Sequence, residues 1–309
     1  MPSKLKWVLV GLGVLLLGEF GARALDGQNS NDALFNYFFL DEQLLRQGMI
    51  DEGGIFEDGF EVRVNRRGFR DRKAWPPPPK TEARRIVLGG AGHGYAENIS
   101  EGFIYAHRLE GALRQRSSTA EVYNLSVQGS TILFFERALL DEVIETKPDA
   151  VLLSYSGFNE ALYTYLPEAE VLFPHNGLYN VVMSSALFRR LHLLAFGLSQ
   201  QVHRVTPDEM IDSYRRVVSR LRDHGIEVLI LQQLVIHPDI EGLWRLSDMD
   251  TYRARVANFA EEEGIPLADP EPFCPDLESC FEQAEWYSEA GHRAAAQALE
   301  VHHGFLLGE

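Results

Sequence analysis

The feature of this sequence that most constrains its fold is a regular alternation of short apolar runs with longer amphipathic stretches. Residues 150–155, AVLLSY, form a continuous apolar run, which is typical of a strand covered on both faces. Similar runs occur at 85–88, 121–126, 227–231 and 265–268, and helical patterns occur at 101–116, 131–146, 207–224, 250–263 and 287–301. Strands that alternate with helices imply right-handed crossovers and parallel pairing. The sequence therefore predicts the α/β class, as a three-layer α/β/α sandwich with a central parallel sheet of about five strands.

One stretch, residues 170–205, interrupts this alternation. It is long and apolar, and it follows the third predicted strand. Ligand sites of parallel sheets lie at the C-terminal ends of the strands, so an insertion at this point would overhang the site. We expect a packed helical insertion, and a lid or partner-binding surface is the alternative.

The N-terminus has the pattern of an export signal. Lys4 and Lys6 precede the apolar run 7–18. A helix extended to Leu25 would span about 28 Å, close to the bilayer core of about 30 Å. We therefore expect an uncleaved single-pass anchor in the inner (cytoplasmic) membrane, with the folded domain on the periplasmic side. Secretion after cleavage is the alternative, because residues 22–24 fit a small-x-small cleavage site.

The remaining chain divides into a lead-in and a sheet domain. We predict a signal-anchor helix at 1–25, a lead-in with a proline-rich connector at 26–80, and an α/β domain at 81–309. The four prolines 76–79 make the connector stiff. The formal net charge of -16 would repel phosphate backbones, so no nucleic-acid partner is expected.

The two cysteines, Cys274 and Cys280, favour a disulfide over a metal site. An exported domain meets oxidising conditions, in which two close thiols tend to pair. Two free, buried cysteines are the alternative. No CxxC pair or Cys/His cluster indicates a metal, and none is predicted.

A glycine-rich turn follows the first predicted strand. Its sequence, residues 89–94, is GGAGHG, which suggests a phosphate cradle. The glycines do not meet the dinucleotide-binding spacing, and the Lys-Ser/Thr pair of a P-loop does not occur at this turn. No cofactor is therefore predicted.

Several short blocks in this order resemble the membrane-anchored bacterial SGNH (GDSL-type) hydrolases. The blocks are GEFGAR at 18–23, NRRGFRD at 65–71, RIVLGG at 85–90, NLSVQG at 124–129, GFNE at 157–160 and SEAGHR at 288–293. The resemblance covers about residues 60–302. It implies an α/β/α sandwich and chemistry on esters, often those of acylated polysaccharides.

The resemblance also implies which residues would carry the chemistry. The family uses a serine nucleophile, a histidine base and an aspartate three residues before that histidine. Carried over to this chain, those three positions hold Ala91, Trp286 and Gln283 respectively, so the triad is degenerate. The oxyanion-binding positions are retained as the backbone of Ala91, Gly129 and Asn159. For Asn159, capping of the loop backbone is a structural alternative.

These residues favour a pseudoenzyme over an active esterase. We expect a glycan- or protein-binding component, or a structural subunit, of a cell-envelope complex. The alternative is an esterase or acyltransferase on acylated polysaccharide or lipid that uses non-standard residues. His93, Ser126 and Trp286 are expected on the rim of the pocket. Trp286 is expected to plug the space of the lost catalytic pair, and an exposed binding face is the alternative.

Overall fold

The computed structural model describes residues 17–18, 65, 67–96, 98–116, 119–161, 163–164, 202–234, 249–282 and 286–309. The chain divides into two units, residues 1–41 with 163–203 and residues 42–162 with 204–309. In chain order the strands are β1 (Arg85–Gly90), β2 (Glu121–Asn124), β3 (Ala150–Ser154), β4 (Tyr163–Thr164), β5 (Val202–His203), β6 (Glu227–Leu231), β7 (Leu267–Ala268), β8 (Phe281–Glu282) and β9 (Trp286–Tyr287). The helices are α1 (Gly92–Tyr95), α2 (Tyr105–Arg116), α3 (Ile132–Phe134), α4 (Leu140–Glu145), α5 (Pro207–Asp223), α6 (Met249–Glu262), α7 (Glu289–Glu300) and α8 (His303–Leu307).

The predicted central sheet is confirmed. Five strands lie in the order β2-β1-β3-β6-β7, and each neighbouring pair is parallel. The chain moves from β1 to β2 on one side and then returns to β3 on the other side of β1. The C-terminal end of β1 is therefore a topological switch point, where sheets of this kind place their ligand sites.

The sheet is covered on both faces, as the apolar runs predicted. Every residue of β1 and of β3 is buried. Helix α7 packs against the sheet domain through Ala294, Ala295, Ala296 and Ala298, all buried. Each buried Leu or Ile of the strands contributes about 1.5–3 kcal/mol through removal from water.

The predicted helices form within a few residues of their expected bounds. Helix α5 begins with a capping box, in which Thr206 and Glu209 satisfy each other's backbone N–H groups. The predicted helix at 131–146 differs, because a π-helical turn at Phe135–Leu139 separates α3 from α4. Strand β2 ends at Asn124, two residues early, because the Asn124 side chain accepts the Ser126 N–H at 3.1 Å and turns the chain.

The edge of the sheet at β2 is closed by side chains from neighbouring segments. Glu110 Oε1 accepts the Val122 N–H at 3.3 Å, and Lys73 Nζ donates to the Val122 carbonyl. Asp71 Oδ2 accepts the Asn124 N–H at 2.9 Å. These bonds occupy backbone groups that would otherwise template pairing with another strand. They also show that the lead-in packs onto the edge of the sheet through Asp71 and Lys73.

The predicted disulfide between Cys274 and Cys280 is confirmed. It closes a short loop immediately before β8, next to α7.

The smaller unit is described only in part. Leu17 and Gly18 are helical, and β4 pairs with β5 in an antiparallel arrangement. Most of the predicted anchor, residues 26–64 of the lead-in and nearly all of the insertion at 170–205 lie outside the described residues. Within the part of the chain that is described, no helix combines the length and apolar character needed to cross a bilayer. The predicted domain boundaries stay predictions.

Candidate functional site

Ala91 lies at the switch point of the sheet, directly after β1. It is the N-cap of the short helix α1, with φ -100° and ψ -154°, and it is 4% exposed. Its carbonyl accepts the N–H groups of Gly94 and Tyr95 at 2.9 and 3.1 Å. A strand-to-helix turn of this kind presents one side chain at the edge of the sheet. In this chain that side chain is a methyl group, which can neither attack a carbonyl nor exchange a proton.

Ser130 joins the three turns that hold the predicted oxyanion residues. Its hydroxyl lies 3.0 Å from the Gly90 carbonyl oxygen and 2.7 Å from that of Val127. Its own carbonyl accepts a hydrogen bond from Asn159 Nδ2 at 2.9 Å. The structure therefore brings the segments of Ala91, Gly129 and Asn159 together.

The Gly129 carbonyl and the Asn159 side-chain amide both form hydrogen bonds that hold these loops. Gly129 has a φ of +70°, and Arg204 Nη1 donates to its carbonyl at 2.5 Å. Asn159 is 7% exposed, and one of its two amide N–H groups donates to the Ser130 carbonyl. Asn159 thus caps loop backbone, the structural alternative foreseen for it, while its amide still carries a second N–H.

Glu160, the last residue of the same block, holds the loop from the other side. It is 1% exposed, and its Oε1 accepts the Ile132 N–H at 3.0 Å at the start of α3. Its carbonyl accepts the Val205 N–H at 3.0 Å. The Glu160 carboxylate therefore holds this loop to the start of α3.

His93 is buried, although it was expected on the rim of the pocket. It is 4% exposed, and its ring lies 4.2 Å from Tyr287, 5.4 Å from Phe158 and 6.3 Å from Phe281, measured between ring centroids. Neither ring nitrogen has a hydrogen-bond partner among the described residues. Burial lowers the pKa of His93 to about 3, so the imidazole is neutral at physiological pH.

Ser126 is also interior, which corrects the second rim assignment. It is 0% exposed, and a Cβ at Gly94 would lie 2.1 Å from its Oγ and 2.8 Å from the Tyr105 hydroxyl. Only glycine at position 94 allows this close approach. Burial raises the pKa of Tyr105 to about 12, against the smaller opposing effects of Ser154 and Ser126. Ser126 is thus packed beneath α1 and is not exposed to substrate.

His292 occupies the interior next to these groups. Its Nδ1 accepts the Tyr105 N–H at 3.3 Å, and its ring stacks on Tyr105 with centroids 5.7 Å apart. Burial holds the pKa of His292 well below its usual range, and His93, Arg70 and Arg108 lower it further.

The remaining triad positions, Gln283 and Trp286, follow β8 in the sequence. Gln283 lies outside the described residues. The backbone of Trp286 pairs with Glu282, and the Trp286 side chain lies outside what is described. The β8–β9 hairpin is fixed at its base, because the Cys280 carbonyl accepts the Ser288 N–H at 3.0 Å and the Tyr287 hydroxyl accepts the Leu234 N–H.

Arg70 is a positioning residue that sequence reasoning missed. It is 0% exposed, and its guanidinium donates to the carbonyls of Tyr95, at 2.8 Å, and of Ile99, just after α1. Asn124 Nδ2 donates to the Gly94 carbonyl at 2.9 Å and so holds α1 from the β2 side. In the sequence, Arg70 lies in the NRRGFRD block, and no role was predicted for the residues of that block. A buried arginine with carbonyl partners fixes the turn that carries Ala91 and His93.

No cluster of three or more His, Cys, Asp or Glu side chains that could hold a metal ion occurs within the described ranges.

No family model matches the chain, and no curated protein matches it. Solved structures do match. An α/β hydrolase enzyme from the metagenome of Lake Arreo, Spain, has 19% identity and a TM-score of 0.51 over 72% of this chain and 96% of that chain. A lipase/acylhydrolase from Enterococcus faecalis has 12% identity and a TM-score of 0.51 over 72% and 96% of the two chains. An acetylxylan esterase from Geobacillus stearothermophilus has 18% identity and a TM-score of 0.51 over 72% and 94%.

These matches, together with the sheet order and the turn after β1, define the fold class. The chain has the α/β/α fold of the SGNH (GDSL-type) hydrolases, as its sequence blocks predicted. Identities this low establish the fold alone, so activity has to be argued from the site.

Proposed function

We propose that this protein is a non-catalytic SGNH-fold component of the cell envelope that binds a glycan or a partner protein. The observation that carries the proposal is Ala91, a methyl group at the N-cap after β1, where the fold places a serine nucleophile. Without a hydroxyl at this turn, no acyl-enzyme can form there.

The neighbouring groups do not supply a substitute. His93 is the nearest imidazole along the chain, and a base with a pKa of about 3 is a weak proton acceptor at neutral pH. Ser126 and His93 are both buried, so an esterase or acyltransferase that relies on them would first have to expose them. The burial of both side chains therefore favours binding over the alternative of rewired catalysis.

The ligand class follows from the retained parts of the site. The backbone around Ala91 and Gly129 and the amide of Asn159 remain grouped, and such donors suit carbonyl or hydroxyl oxygens. An acetylxylan esterase is among the solved structures with this fold, which supports a glycan ligand. The proposal includes an anchor at residues 1–25 in the inner membrane, with the folded domain on the periplasmic side. The Cys274–Cys280 disulfide supports an oxidising location for that domain.

Hydrolysis of short-chain nitrophenyl esters by the purified full-length chain tests the proposal. We expect no turnover above a denatured control. The matched variant Ala91→Ser adds a hydroxyl without a base, so it should stay silent as well. The triple variant Ala91→Ser, Gln283→Asp, Trp286→His restores all three residue types and is the arm in which turnover is expected. Complete triads exceed broken ones by about 10⁴- to 10⁶-fold in rate.

Two results would contradict the proposal. One is wild-type turnover that survives repurification and disappears in His93→Phe or Ser126→Ala. The other is a large gain from Ala91→Ser alone, which would show that a base is already in place and that Trp286 does not occupy the histidine position.

A further inference from the structure

Two buried histidines belong to one cluster of rings beside Ala91. Tyr287 contacts both imidazoles, with centroids 4.2 Å from His93 and 5.6 Å from His292. Tyr105 stacks on His292 from the other side, and Phe281 and Phe158 enclose His93. The cluster therefore joins α1, α2, α7 and the β8–β9 hairpin.

Neither imidazole has a described carboxylate to pair with if it takes up a proton. The charged groups that act on His292 are the cations Arg70 and Arg108. The carboxylates on the surrounding elements are engaged elsewhere: Glu282 with Asn98, Glu289 with Arg108, Glu101 with Arg72 and Glu160 with the Ile132 N–H. Burial raises the pKa of the Tyr105 and Tyr287 hydroxyls, so both are neutral, and the charges that act on Tyr287 are the pair Arg253 and Asp269.

The hydrogen bonds of the cluster also require neutral rings. His292 Nδ1 accepts the Tyr105 N–H, and it can do so only while it carries no proton. His93 has two nitrogens without partners in the described residues, so a charged form would be buried with no compensation. Water is the environment in which either charged ring would be stable.

We propose that His93 and His292 form an acid-sensitive latch: protonation of either ring separates Tyr287 from α1, the helix that follows Ala91. The closed form excludes protons from both rings. The open form lets both rings bind a proton in water. Acid therefore favours the open form, whether or not the site hydrolyses esters.

The direction and size of the effect follow from linkage. Both histidines bind protons more weakly in the closed form than in the open form, where the ordinary pKa is about 6.5. The closed form is fully stable above that pH and loses stability as the pH falls below it. At pH 5 the opening equilibrium should rise about thirtyfold for each histidine that becomes exposed.

Amide hydrogen exchange on the full-length protein tests the latch, because two amides report on it directly. The Leu234 N–H bonds to the Tyr287 hydroxyl, and the Tyr105 N–H bonds to His292. Between pH 7 and pH 5, after correction for intrinsic rates, exchange at both should rise by about thirtyfold or more. The Leu125 N–H, which bonds to the Leu88 carbonyl within the sheet, should stay better protected than both reporter amides at each pH, because its exchange requires the sheet itself to open.

Variants separate the latch from general acid destabilisation. His93→Phe keeps a flat ring in the aromatic cage and should reduce the acid-induced rise at Leu234 by about thirtyfold. His224→Gln, at the exposed end of α5, is the matched control and should keep the full rise. Equal protection of Leu125 and Leu234 at pH 5, no rise at Leu234, or an unchanged response in His93→Phe would overturn the proposal.

A second measurement does not depend on the variants. Nitrogen NMR of the wild-type imidazoles should show both rings neutral as long as the Leu234 and Tyr105 amides stay protected. Titration of His93 or His292 near pH 6.5 with those amides still protected would also overturn the latch.

Discussion

Gly157→Ala should destabilise the sheet unit far more than a typical glycine substitution. Gly157 lies just after β3 in the block that positions Asn159, and its φ is +103°. A Cβ at this position would lie 2.2 Å from Tyr252 Cβ and 2.6 Å from Tyr252 Cγ. Tyr252 is 0% exposed, and its hydroxyl donates to the Val205 carbonyl at 2.6 Å, so it has little freedom to move away.

The expected magnitude combines two terms. Backbone strain at a φ that only glycine adopts easily costs about 1–3 kcal/mol. Overpacking against a fixed side chain costs about 1–3 kcal/mol more. The lower entropy of the unfolded alanine chain returns about 0.4–1 kcal/mol. We therefore expect a loss of about 1–6 kcal/mol in the free energy of unfolding.

Two other glycines separate these terms. Gly264 has a φ of +62° with nothing within 4 Å of its added Cβ, so Gly264→Ala tests backbone strain without a clash. The strain should lower the free energy of unfolding by about 1–2 kcal/mol, and the same entropy gain should offset part of this loss. Gly102 likewise has open space, and its φ is not in the left-handed region, so Gly102→Ala should be close to neutral.

Urea unfolding of the wild type and the three variants measures these differences, with unchanged m values as the check that each native state is retained. The reasoning is wrong if Gly157→Ala and Gly264→Ala agree to within about 0.5 kcal/mol, since the clash with Tyr252 would then have no energetic consequence.

The remaining predictions concern the β8–β9 region. Replacing Cys274 and Cys280 by serine should lower the free energy of unfolding by about 2 kcal/mol, a modest loss because the closed loop is short. Urea titration measures the loss. Adding reductant should destabilise the wild type by the same amount and should have no effect on the variant. Trp286→Ala should cost about 3–5 kcal/mol if the side chain plugs the pocket, whereas little loss together with weaker ligand or partner binding would indicate an exposed binding face.

Much of the fold was predictable because its signals are local. The apolar runs identify the strands, and Thr206, Pro207 and Glu209 mark the start of α5 within one turn of chain. The spacing of the blocks likewise identified Ala91 as the residue after β1. Each of these inferences depends on neighbours in sequence, where propensity and periodicity act directly.

The environment of the site could not be predicted in the same way. His93 and Ser126 have the polarity of rim residues, yet both are buried, because Phe158, Phe281 and Tyr287 converge on α1 from distant parts of the chain. Arg70 shows the same limitation, since its carbonyl partners follow it only after the proline-rich segment and β1.

The sequence by itself determined the α/β class, the approximate bounds of the central strands and main helices, and the absence of a hydroxyl at Ala91. The tertiary structure decided the strand order, the burial of His93 and His292, and the hydrogen bond from Asn159 Nδ2 to the Ser130 carbonyl. The physical reason is that secondary structure follows from interactions within a few residues, whereas burial depends on which distant segments meet. The chemistry of an ionisable side chain at a site depends on that burial.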